Sequence, residues 1–221
     1  LNILLVFRSG GDFEMRDVLL LANQLQKKKG TFYINTYCLT NIVKNEFPVS
    51  NVTLIPMQFE WKGWWSKMNL FSPELEYLRP YLYLDLDTAL IKPVSCVLLN
   101  DLTRSNVIML RDFYKRGKAA SGVMWIPAKN EKIQHIWNEW IKDPDGIMKK
   151  YRGDQEFINS IIAPDHYWQD VTNGITTFKP NRKIRKELNG KENIVCFHGR
   201  PRIHKAAKTV TWVNKYVKGE L

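Results

Sequence analysis

An open α/β sheet with helices packed on both faces is the fold class this sequence predicts, and three observations carry the prediction. Apolar runs of strand length alternate with stretches of helical periodicity. The first run, Asn2-Ile3-Leu4-Leu5-Val6-Phe7, breaks into Arg8-Ser9-Gly10-Gly11-Asp12, a glycine-bearing loop where a nucleotide would bind in a doubly wound sheet. A later run, Tyr81-Leu82-Tyr83-Leu84-Asp85-Leu86-Asp87-Thr88, ends abruptly in two carboxylates separated by one leucine. Ligands gather outside the carboxyl ends of such strands.

Each element follows in order. Residues 2–8 read as a buried strand. Val18, Leu19, Leu21, Ala22 and Leu25 recur near helical spacing before Lys27-Lys28-Lys29-Gly30 ends the helix. Residues 33–39 and 52–57 read as strands. Trp61 to Phe71 reads as a loop entering a short helix, its tryptophans either a core plug or a stacking wall. After the acidic strand come a strand at 106–112 and a turn at Ser121-Gly122 opening another buried strand through 127. An amphipathic helix spans 130–142, with Ile133, Ile136, Trp137, Trp140 and Ile141 facing the core. A helix starts near Asp154, and Ile194 to Phe197 is a short strand running into His198-Gly199-Arg200-Pro201-Arg202. The loop after the first strand lacks Gly-x-Gly-x-x-Gly spacing, which argues against a dinucleotide site.

At 221 residues, 44% hydrophobic and 25% charged, the chain suits one domain with one substantial core, spanning 1–221. It holds no apolar window of the ~20 residues needed to span a bilayer and no signal-peptide core. A cytoplasmic or membrane-surface location is the expectation. The start at Leu1 suggests a processed end or a piece of a larger protein. Cys38, Cys96 and Cys196 lie far apart in apolar stretches and read as buried free thiols. The net charge of +11 is uneven: residues 179–221 hold twelve Lys or Arg against three Glu. Such a balance calls for a polyanionic partner, or is a merely soluble basic tail.

On an extended strand Asp85 and Asp87 would share a face, roughly 7 Å apart. Two anions so placed repel unless a cation sits beside them. A hard divalent cation with oxygen ligands, Mg²⁺ or Mn²⁺, meets that need and would hold phosphate oxygens on its open positions. The bland reading is a solvated strand end paired with lysines. His198, at a strand end beside two arginines, is placed to hold metal and phosphate together, although a lone histidine is more often simply packed. Asp154 is either a helix cap or a site carboxylate.

The order of these features, Lys67, Tyr-Leu-Asp85-x-Asp87-Thr, Ser121-Gly122-Val-Met, Asp154-Gln155 and His198-Gly199, resembles the nucleotide-sugar glycosyltransferases of the GT-A fold. The similarity is to the glycogenin-related and galactosyltransferase-type families with their bacterial and large-virus relatives, over about residues 1–205. It implies a Rossmann-like, single mixed and mostly parallel sheet flanked by helices. It implies a hexose or 6-deoxyhexose moved from a UDP-sugar donor to an oligosaccharide or glycoprotein-glycan acceptor. By the same resemblance Asp85, Asp87 and His198 would hold Mn²⁺ or Mg²⁺, and Lys67 would approach the diphosphate. Ser121 and Gly122 would line the sugar pocket, while Asp154 and Gln155 would bind sugar hydroxyls, with Asp154 the catalytic carboxylate. Phe7 and Arg8 would contact base or ribose, and Gly199, Arg200 and His204 the leaving phosphates. The family often carries Lys after His-Gly, where this chain has Arg200.

Two other readings compete. Haloacid-dehalogenase phosphatases also carry Asp-x-Asp-x-Thr after an apolar strand, but on the first strand and with a later acid where this chain has Ile158. A basic single-strand nucleic-acid-binding module would use tryptophans on a cationic groove, yet Trp212 alone lies in the basic segment. No specific nucleic-acid partner is expected; weak contact with an anionic membrane surface is.

Overall fold

The computed structural model describes residues 1–30, 32–42, 51–94 and 105–221; the expected thiol at Cys96 lies outside them. A seven-stranded sheet organises the chain in the order β3-β2-β1-β4-β7-β6-β8. Its strands are β1 (Asn2–Phe7), β2 (Asn35–Thr40), β3 (Thr53–Pro56), β4 (Tyr81–Leu84), β6 (Ile108–Arg111), β7 (Ala119–Ile126) and β8 (His166–Tyr167). All neighbours pair parallel except β7, which runs antiparallel to both β4 and β6. This is the mixed, mostly parallel sheet that the sequence leads one to expect.

Strand alternation divides the apolar residues between two layers. Ile3, Leu5, Leu82 and Leu84 pack with Val18, Leu21, Ala22 and Leu25 of α1 (Met15–Lys27). Leu4, Tyr81 and Tyr83 face the other layer, with Met68, Leu70 and Trp140. Helix α1 begins in a capping box in which the Glu14 N–H donates to Asp17 Oδ2 at 2.8 Å. Helix α2 (Glu131–Lys142) is capped by Asn130, whose side chain accepts from the Lys132 N–H. Ile133, Ile136 and Trp140 of α2 are buried as expected, whereas Ile141 falls at the edge of the stripe and is 41% exposed. Two further helices, α3 (Pro144–Lys150) and α4 (Asp154–Ile161), lead back under β7, and α5 (Trp168–Val171) follows β8.

Three expectations need correction. The sheet is not single: β5 (Thr88–Leu90), β10 (Ile194–Cys196) and β9 (Ile175–Thr177) form a second, three-stranded sheet. Ser121-Gly122 does not open a strand; β7 runs through it, with a shift of register against β6 that leaves extra residues bulged there. The basic C-terminal segment is not a tail. Its helices α6 (Ile203–Ala206) and α7 (Thr211–Lys218) bury Ile203, Trp212, Val213 and Tyr216 against Phe178 and Phe197. Gln24 Nε2 donates to the Tyr216 carbonyl at 2.9 Å, tying α7 to α1. Among the described residues no helix is long and apolar enough to cross a membrane.

Candidate active site

The acidic pair sits where the two sheets meet. Strand β4 keeps its pairing only to Leu84; the Thr88 N–H then bonds the Asp85 carbonyl at 3.0 Å, closing a turn that releases the chain into β5. Asp85 and Asp87 therefore owe their positions to a turn rather than to alternation along a strand. Strand β10 pairs antiparallel with β5, and the Phe197 N–H donates to the Asp87 carbonyl at 2.9 Å. That register brings His198 beside the acids from more than a hundred residues away in sequence.

A cavity of about 750 Å³ opens here, beyond the carboxyl ends of β1 and β4. Phe7, Arg8, Lys67, Asp85, Asp87, Ser121, Gly122, Asp154, Gln155, His198 and Gly199 all line it. Arg200 does not: its side chain is 80% exposed and pairs with Asp12 at 3.1 Å. His204 stands outside the walls too, facing Asp17 of α1 at 3.5 Å. The cation that does enter the wall is Arg202, which donates to Asp87 Oδ2 from Nη1 and reaches Asp12 from Nη2. Sequence reasoning missed it because two arginines flank Pro201 and only the path of the loop selects between them.

Lys67 is the hub of the floor. Its ammonium lies 3.0 Å from Asp85 Oδ1 and 3.2 Å from Asp154 Oδ2, and donates to Ser121 Oγ at 3.2 Å. Burial alone would lower its pKa, but the Asp154 and Asp85 carboxylates outweigh that and hold it above the usual lysine value. The Ser121 hydroxyl donates to Asp154 Oδ2 at 2.6 Å, and the Tyr83 hydroxyl to Asp85 Oδ1. Gly122 suits this crowding: a Cβ there would stand a tight 3.3 Å from Asp85 Oδ2, while its carbonyl accepts the Asp85 N–H at 2.8 Å. Asp154 is the first residue of α4, and the preceding Gly153 lets the Trp64 indole approach to 3.0 Å from where a Cβ would be. Gln155 Nε2 donates to Asp112 Oδ2 at 2.7 Å, which anchors the hairpin between β6 and β7 at the cavity edge.

Burial and the neighbouring Asp85 raise Asp87 to about 6, against the opposing pull of Arg202 and Lys67. Burial also pushes His198 down to about 4, so its imidazole is neutral at pH 7. The His198 backbone is held at φ +48°, in the left-handed region that non-glycine residues rarely adopt. Lys179 Nζ donates to the carbonyls of His198 and Arg200, clamping the loop.

Among the described residues no three His, Cys, Asp or Glu groups are gathered closely enough to hold a metal ion, and Arg202 and Lys67 stand against the acids instead. The donor chemistry nevertheless fits a hard divalent cation. Three floor carboxylates (Asp85, Asp87 and Asp154) share two cations, leaving a negative excess. Beside them the neutral His198 offers a buried Nε2 without a hydrogen-bond partner.

The tryptophans divide between both expected roles. Trp65 stacks on Trp140 with centroids 5.2 Å apart, and Trp61 meets the same ring edge-on at 4.9 Å, so these two plug the core. Trp64 is 59% exposed and forms a cavity wall.

No protein-family profile and no curated protein matches the sequence. Solved structures do match. The galactosyltransferase LgtC, crystallised with donor and acceptor sugar analogs, superposes with a TM-score of 0.62 at 12% identity, over 99% of this chain and 96% of LgtC. The glycosyltransferase GlyE of Streptococcus pneumoniae TIGR4 gives 0.63 at 12% identity, over 98% of this chain but 59% of GlyE. The bifunctional glycosyltransferase WbbM gives 0.60 at 9% identity, over 98% of this chain and 51% of WbbM. At such identities the likeness is one of fold, and the fold is that of GT-A glycosyltransferases.

Proposed function

We propose that the chain is a metal-dependent glycosyltransferase that moves a hexose or 6-deoxyhexose from a nucleoside diphosphate sugar, UDP foremost, to a glycan hydroxyl. One observation carries the reading: the residues singled out by sequence order converge on one cavity at the strand ends of a GT-A fold. The galactosyltransferase LgtC, which shares that fold, binds donor and acceptor sugar analogs.

Asp85, Asp87 and His198 would hold Mn²⁺ or Mg²⁺, which supplies charge stabilisation to a leaving diphosphate without proton transfer. Arg202 adds fixed positive charge at the same place, where negative charge grows as the sugar–phosphate bond breaks. Lys67 keeps Asp85 and Asp154 in register and faces the donor with its own charge. Gly122 and Ser121 leave room for the sugar, and Phe7 and Arg8 line the end meant for base and ribose. Asp154, held by Ser121 and Lys67, is the leading catalytic carboxylate. In an inverting course it takes the proton of the attacking hydroxyl; in a retaining course it orients the donor sugar.

The phosphatase reading loses its second acid, since Ile158 is wholly buried in the core. Incubation with UDP-glucose, UDP-galactose and their GDP and dTDP counterparts tests the proposal. Slow release of a nucleoside diphosphate that stops on adding EDTA is expected. Stability of every donor, with p-nitrophenyl phosphate hydrolysed instead, would sink it.

A further inference from the structure

A second cavity, of about 680 Å³, adjoins the first and shares Trp64 and Gln155 with it. Its charge is one-sided. Lys115 and Lys118 reach it from the hairpin between β6 and β7, Lys150 from the end of α3, and Arg152 from the loop before α4. Against these four cations stands one acid, Glu156, which accepts the Arg152 backbone N–H at 2.8 Å. None of the four forms an ion pair among the described residues, although the Lys150 ammonium lies beside Tyr151, 5.1 Å from its ring centroid, and, behind the larger effect of the Ser160 hydroxyl, helps hold the Tyr151 hydroxyl below its usual pKa. Surface lysines facing one another across a groove repel, and an anionic ligand relieves that repulsion. Trp64, exposed between the two cavities, offers an aromatic face of the kind that packs on the C–H face of a sugar ring.

We propose that this groove is the acceptor subsite and that the acceptor is an anionic saccharide, bearing carboxylate, phosphate or sulfate groups. The inference rests on the glycosyltransferase reading and adds the acceptor's chemical class. Contiguity carries the assignment: an acceptor hydroxyl must reach the sugar carbon in the first cavity, and the shared Trp64–Gln155 wall is where the second opens onto it. The volume suits a short oligosaccharide and is too small for a folded polynucleotide. The transfer balances without a further reactant. The hydroxyl oxygen bonds the anomeric carbon, the bond from that carbon to the diphosphate oxygen breaks with its electron pair, and the hydroxyl proton is released.

Calorimetric titration with trigalacturonate and with maltotriose, a neutral chain of equal length, tests this on protein that is also titrated with UDP. Trigalacturonate should bind at least about ten-fold more tightly than maltotriose at low salt, and the gap should close near 0.5 M NaCl. The Lys118→Glu/Lys150→Glu double variant should lose the preference for trigalacturonate, while a Lys208→Glu control, at an exposed position lining neither cavity, keeps it. Equal binding of the two trisaccharides, or a double variant that retains the preference, would overturn the anionic acceptor while leaving UDP binding to support the glycosyltransferase. Binding of trigalacturonate by a protein that binds none of UDP, GDP and dTDP would defeat the glycosyltransferase reading, and the acceptor assignment with it. Displacement of trigalacturonate by a short single-stranded oligonucleotide at lower concentration would assign the groove to a nucleic acid instead.

Discussion

In the first cavity every floor carboxylate already has a fixed cation: Asp85 and Asp154 share Lys67, and Asp87 takes Arg202. In the adjoining groove four cations stand without an ion pair among the described residues. The two regions lie side by side, yet one holds its charges paired and largely buried, with one carboxylate charge in excess, while the other leaves them in water. Matched, buried charges hold geometry and suit chemistry that needs preorganised groups. Unmatched, solvated charges hold little geometry, are screened by salt, and suit selection among ligands. The difference agrees with the proposed function, which puts the reaction in the first cavity and discrimination in the second.

Removing a charge from the first region should have the largest effect. Asp87→Ala should lower donor turnover by at least about 10²–10³-fold, the scale for losing one transition-state contact, with the circular dichroism of the fold retained. An active Asp87→Ala protein would mean that the acidic turn is structural. Asp154→Asn should keep UDP affinity within about two-fold and cut turnover by about 10²-fold or more. Normal turnover in that variant would reduce Asp154 to a helix-start residue. The tryptophans sharpen the contrast between buried and exposed. Trp140→Ala, emptying the space among Trp61, Trp65 and Phe157, should cost about 3–5 kcal/mol in urea unfolding. Trp64→Ala should change stability by less than about 0.5 kcal/mol while weakening saccharide binding. The smallest effect concerns Cys38, whose thiol burial pushes up to about 12. It should resist iodoacetamide at pH 8 until the protein unfolds, and rapid alkylation of native protein would show the sheet opening there.

The larger sheet was legible except for the two-residue β8, because its other strands are long enough to show alternation. Leu82 and Leu84 face one layer and Tyr81 and Tyr83 the other, as the run from Tyr81 implies. Of the smaller sheet only β10 was read as a strand; β5 and β9 have three residues each, and so short a run carries no period. That gap hid the turn at Asp85, because where β4 stops depends on β10 arriving beside Thr88. The C-terminal helices were masked by their lysines, although Trp212, Val213 and Tyr216 already stood at helical spacing. His198 could be suspected from its strand end, but Arg202 could not be preferred to Arg200 without the fold. The acceptor groove draws its cations from three separate connections, and no local pattern unites Lys115, Lys118, Lys150 and Arg152.

Calorimetric titration of UDP into the protein, once with Mn²⁺ and once with EDTA, tests the central claim most directly. The nucleotide-sugar site predicts micromolar binding with Mn²⁺ that disappears with EDTA. Absence of binding in both conditions would contradict UDP as the donor nucleotide, and binding undiminished by EDTA would contradict the role given to Asp85, Asp87 and His198.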